Sequence, residues 1–197
     1  FLAKFKNSDG FDSGAIFVVR DDSRTADLLY QQPVATYQAY NQYPEGVNGS
    51  SVYTGDLSGL PKAVKVSFDR PYAGYRTNFN GYGHFLEEEI NLVKWLEKEG
   101  YDIAYSTDVD ADRSGSQLLK YRGILYGGHG EYWSKAMRDA AENAKANKVN
   151  LAFFGSNDAY WQVRLEPNSR GYAQRTLVCY KSDSDPISDD RLKTNLF

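Results

Sequence analysis

Between residues 85 and 155 the chain twice sets a helix-period stripe between short apolar runs, and this alternation narrows its possible folds most. Residues 85–99 carry Leu86, Ile90, Val93 and Leu96 at i, i+4, i+7 and i+10, one apolar stripe along a helix. Glu87, Glu88 and Glu89 fall in its first turns, where the helix dipole favours negative charge, and read as a solvated helix start. Gly100 supplies the stop. A strand at 102–106 follows at once, then a weak helical turn at 116–121 and a buried strand at 123–127. Residues 134–146 form a second helix, with Ser134 at its N-cap, and 150–155 another buried strand. Upstream, 15–20, 27–32 and 63–68 read as strands, with Pro33 ending the second, while 33–59 and 73–84 read as loops. Later strands fall at 160–165 and 175–180. Strands separated by helices predict a three-layer α/β fold with a mainly parallel sheet. In such sheets sites form beyond the C-terminal strand ends, which directs attention to the loops after Gln32, Ser106, Gly127 and Gly155.

Composition removes several function classes. The 197 residues carry a net charge of −3 with the signs mixed, which argues against a nucleic-acid surface. No apolar run approaches the roughly 18 residues of a membrane span. Cys179 is the single cysteine, so an internal disulfide framework and a multi-cysteine zinc site are excluded; it reads as a buried small hydrophobe. The two histidines, His84 and His129, exclude a three-histidine centre, so a metal must lean on oxygen ligands. Sixteen tyrosines supply such oxygens as well as packing surface. Residues 1–14 read as a leading segment and 15–197 as the α/β domain, a piece of a longer protein without a visible signal peptide. Asn48-Gly49-Ser50 fits a glycosylation triplet.

The loop after the central strand, Gly127-Gly-His-Gly-Glu-Tyr-Trp133, has the strand, tight turn and helix order of a nucleophile elbow. Its turn holds His129 and Glu131 instead of Ser or Cys, so acyl-enzyme chemistry of that kind is disfavoured. Two readings fit this loop: Glu131 and His129 face a site, or Glu131 caps the Ser134 helix and His129 satisfies the loop. Asn157, in the loop after 150–155, is placed to point an amide into the same cleft or to serve the turn itself. Asp108, Asp110 and Asp112 resemble a calcium loop but lack its glycine and final glutamate, and read as a solvated acidic turn.

Eight motifs occur in one order: VVRDD (18–22), TYQAYN (36–41), SVY (51–53), VSFDRPY (66–72), VKWLEKEGYD (93–102), STDVD (106–110), GGHGEYWSKAMRDA (127–140) and VNLAFFGSNDAYWQVR (149–164). In these the chain resembles the C-terminal domains of N,N-dimethylformamidase large (beta) subunits. The resemblance implies a fold like that of class I glutamine amidotransferases and hydrolysis of a small-molecule amide. It also implies one Fe(III) held by two tyrosines and a glutamate. On this sequence the ligands are Tyr40, Tyr53 and Glu131, with Tyr72 in reserve for the second tyrosine, and His129 and Asn157 fall beside the metal. Partners are then the amide and other domains or subunits of the parent protein.

Two departures accompany the resemblance. Gly130 stands where relatives carry an aspartate, and the general base of the amidase falls beyond this chain's end. The alternative function is therefore a non-catalytic structural or ligand-binding domain within a larger exported protein.

Overall fold

A computed structural model describes residues 1–44, 49–55, 59–73 and 81–195. Asn48 of the glycosylation triplet and most of the loop expected at 73–84 lie outside these residues. The expected parallel sheet forms from β3 (Leu28–Gln32), β5 (Ile103–Thr107), β6 (Gly123–Tyr126) and β8 (Asn150–Phe153), in the order β5-β3-β6-β8. Every neighbouring pair is parallel, so a helical crossover must separate each strand from the next. Period-two alternation sends Leu29 and Ile124 to one face and Tyr30 and Leu125 to the other. Helices cover both faces. α2 (Ile90–Lys98) packs Leu92, Val93 and Leu96 against Tyr30 and Leu125. α1 (Val34–Tyr40) and α4 (Lys135–Ala146) bury Ala35, Ala39, Met137 and Ala144 on the face of Leu29 and Ile124.

α4 ends where its sequence says it should. Ser134 Oγ accepts from Met137 N at 3.1 Å and donates to Asp112 Oδ1 at 2.5 Å, so cap and neighbouring helix are tied together. A second, four-stranded sheet in the order β4-β10-β9-β7 joins β4 (Lys65–Ser67), β7 (Tyr132–Ser134), β9 (Trp161–Glu166) and β10 (Thr176–Val178). Its Val66, Val163 and Leu177 enter the same core as α1 and α4. Cys179 follows β10 and is buried there as expected, with burial pushing its thiol up to about 11. β1 (Leu2–Lys6) and β2 (Asp12–Ile16) form a separate antiparallel hairpin. Among the described residues, no helix is long and apolar enough to cross a membrane.

Several expectations need correction. The strand placed at 15–20 lies at Asp12–Ile16, where pairing with β1 fixes its register. α1 occupies residues expected to be loop. It is buried nearly all round, and Asp108 Oδ2 accepts from Ala35 N at 3.0 Å, satisfying an amide at its start. Asp108 is thus no solvated turn: it is 2% exposed and opens α3 (Asp108–Ser114), whose capping box pairs Thr107 with Asp110. Burial pushes the Asp108 carboxyl up to about 8. β8 is a half-exposed edge strand, with Phe153 50% exposed and stacked on Tyr126. The helix expected at 85–99 opens as a π turn, Phe85–Glu89, before α2. Glu89 there is fully buried, not solvated, and accepts from Tyr30 Oη at 2.8 Å and from Tyr37 Oη.

Candidate functional site

A solvent-open cleft of about 730 Å³ lies beyond the C-terminal ends of β3, β6 and β8. Three of the four anticipated loops line it, through Tyr40 and Tyr53, through His129, and through Asn157. The loop after β5 instead becomes α3. Gly128 makes the turn at the end of β6: its φ is +67°, and a Cβ there would come 2.8 Å from Glu89 Cγ. The chain then runs His129, Gly130 and Glu131 into β7, not directly into a helix. Pairing fixes this run, because Ala159 N donates to Gly130 O and Trp161 N to Glu131 O, both at 2.9 Å. Glu131 therefore sits three residues before the α4 cap, and Ser134 does the capping. This removes the reading of Glu131 as a cap.

Glu131 is 5% exposed and its side chain meets the cleft-lining Tyr40 and His129. Tyr40 Oη donates to Glu131 Oε2 at 2.5 Å. His129 Nε2 lies 3.3 Å from the same oxygen and 3.4 Å from Asn157 Nδ2. Asn157 reaches this position from a left-handed turn, φ 56°, which asparagine tolerates better than most residues. Tyr53 stacks on Tyr40, ring centroids 4.5 Å apart and 28° from parallel, and is half exposed along the cleft wall. Tyr72, the reserve ligand, packs edge-on against Tyr37 and lines a small separate pocket behind Tyr40. Tyr40, Glu131 and His129 are thus in contact, Asn157 joins them through His129, and Tyr53 stacks on Tyr40.

Sequence reasoning missed three neighbours. Lys181 is 8% exposed and donates from Nζ to Tyr132 Oη at 2.7 Å. Its ammonium lies 5.2 Å from the Tyr53 ring centroid, 5.0 Å from that of Tyr132 and 4.9 Å from that of Trp161. Burial pushes its pKa down, while the charges of Cys179 and Glu131 act upward. Asp158 is the second. Its Oδ1 lies 2.6 Å from where a Cβ on Gly130 would stand, so it places a carboxylate in the space next to that glycine. Burial pushes Asp158 up and His129 pulls it down. The third is His84, fully buried between Tyr37 and Tyr40, with ring centroids 5.1 and 5.4 Å away. Burial pushes His84 down, opposed by Glu88. Lys181 lies far along the chain from the loop it backs, and nothing local marks it.

As donors, a phenol and a carboxylate in 2.5 Å contact, with a second phenol stacked beside them, form a hard oxygen set. By donor type, the two phenols and the carboxylate are hard oxygen ligands of the kind that Fe(III) takes.

The chain matches, over residues 1–196, the family described as N,N-dimethylformamidase beta subunit-like, C-terminal. It belongs to that family. Among curated proteins it is similar to the N,N-dimethylformamidase beta subunit of Alcaligenes sp, with 31% identity over 124 residues, 60% of this chain. The N,N-dimethylformamidase beta subunit of Paracoccus aminophilus is 32% identical over 124 residues, again 60% of this chain. The match spans 16% of the length of each relative.

Proposed function

We propose that this chain is an iron-dependent domain that hydrolyses a small-molecule amide, on a fold of the class I glutamine amidotransferase type. The observation that carries the reading is the Tyr40–Glu131 contact, beside the cleft that Tyr40, His129 and Asn157 line. Tyr40, Tyr53 and Glu131 would hold the iron. When bound, Fe(III) supplies Lewis acidity toward an amide carbonyl. The remaining work falls to side chains of the chain itself. Asn157 Nδ2 offers a hydrogen bond to the carbonyl oxygen as charge builds on it. His129, between Glu131 and Asn157, holds or moves a proton at Nε2. Lys181 and Tyr132 back the phenols with positive charge and a fixed hydroxyl.

Gly130 does not weaken this reading, because Asp158 brings a carboxylate into the space beside it. Other domains or subunits of the parent protein would complete the site, in keeping with relatives that are named as beta subunits. The test is release of amine from a small tertiary amide by the protein stripped of metal and then reloaded. Fe(III) is expected to raise turnover by about two orders of magnitude or more. Equal turnover with and without iron would refute the proposal.

A further inference from the structure

Next to Tyr40 and Glu131 lies a second set of donors, contributed by different elements. His84 precedes the π turn Phe85–Glu89, Glu88 follows four residues on, and His129 comes from the loop after β6. One ligand atom from each lies within 4.8 Å of the other two. His84 Nδ1 is 3.6 Å from Glu88 Oε2. Donors bound to zinc at ~2.0–2.2 Å stand roughly 3–3.5 Å apart, so side-chain shifts of about an ångström close this set around an ion.

We propose that His84, Glu88 and His129 form a binding site for a divalent transition-metal ion of the zinc class. Two imidazoles and one carboxylate are the borderline donors that zinc takes in sites with an open position. Glu88 and His129 line the cleft, so the open position faces solvent and any bound small molecule. His84 closes the site from the core side and is oriented by Tyr37 and Tyr40. His129 is held by Asn157, whose Nδ2 lies 3.4 Å from its Nε2. The π turn delivers Glu88 to the cleft while Glu89 enters the core, in keeping with the placement of such turns at functional sites. This site goes beyond the two-tyrosine reading and stands without it, sharing only His129.

The full chain, stripped with chelator, is titrated with Zn²⁺ by calorimetry and with Co²⁺ as a visible-absorbing substitute. Wild type is expected to bind one ion with Co²⁺ bands of a low-coordinate nitrogen–oxygen site. Glu88→Gln and His84→Gln should each weaken Zn²⁺ binding by about 100-fold, the upper end of what losing outer-shell support alone costs. Glu142→Gln, on the exposed face of α4, should leave Zn²⁺ affinity unchanged. Circular dichroism checks folding, and Glu88→Gln decides the matter if the buried His84 variant does not fold. Absent Zn²⁺ binding, unchanged affinity in Glu88→Gln, or equal loss in Glu142→Gln would each overturn the proposal. Failure of the iron reading leaves all three expectations in place, so the two accounts are separable.

Discussion

Replacing Glu131 with glutamine is expected to abolish Fe(III) uptake while leaving the metal-free fold within about 1 kcal/mol of wild type. Glutamine keeps an acceptor for the Tyr40 hydroxyl, which now donates to Glu131 Oε2 at 2.5 Å. It removes the negative charge that an iron ligand must supply. A helix cap would behave differently, since losing one costs about 0.5–2 kcal/mol whether or not metal is present. Ser134 already fills the cap of α4, so no such loss is expected from Glu131. Thermal melts of wild type and Glu131→Gln, each with and without iron, read both quantities. A metal-independent drop in stability, with iron still bound, would return Glu131 to a structural role.

The second large effect concerns the buried acid under the Gly128 turn. Glu89 is fully buried, and burial pushes its carboxyl from 4.5 up to about 8. Between these values the folded state holds a proton that the unfolded chain has released. Stability is then highest below about pH 5 for this group and falls as pH rises toward 8, by up to ~1.4 kcal/mol per pH unit. Glu89→Gln mimics the protonated form: its oxygen accepts from one of Tyr30 and Tyr37, and its amide donates to the other hydroxyl oxygen. Urea unfolding at pH 5, 6, 7 and 8 should show the mutant curve flatter than wild type by about that slope. Asp108 acts in the same direction, so part of the wild-type decline remains in the mutant. Parallel curves for the two proteins would show that Glu89 is ionised in the folded state.

The parallel sheet and α4 were legible because their signals are local. β3, β5 and β6 are short apolar runs, and α4 combines a helical stripe with Ser134 at its start. α1 was not legible, because the carboxylate that satisfies Ala35 N belongs to Asp108, 73 positions away. For the same reason Glu89 and Asp108 read as solvated acids: their burial depends on Tyr30, Tyr37 and α1, none of them neighbours in sequence. The three residues of β7 carry no period of their own, and β9 defines them by pairing. That pairing sets Glu131 three residues before the α4 cap, against Tyr40 and His129.

The candidate site divides along the same line. His129, Glu131 and Asn157 could be singled out because they sit in loops at the C-terminal edge of a parallel sheet. Tyr40 and Tyr53 could not be chosen among sixteen tyrosines by pattern alone, and family resemblance selected them. The structure places their rings 4.5 Å apart at the same cleft. Lys181 and His84 reach the site through tertiary packing from separate segments, whereas Asp158 follows Asn157 in the same loop.

Ligation of iron by tyrosine is tested most directly by visible absorption of the metal-stripped chain after one equivalent of Fe(III). The account predicts a tyrosinate-to-iron charge-transfer band that Tyr40→Phe shifts or bleaches and that Glu131→Gln abolishes along with iron binding. Stoichiometric iron without such a band, or a band untouched by both Tyr40→Phe and Tyr53→Phe, would contradict it.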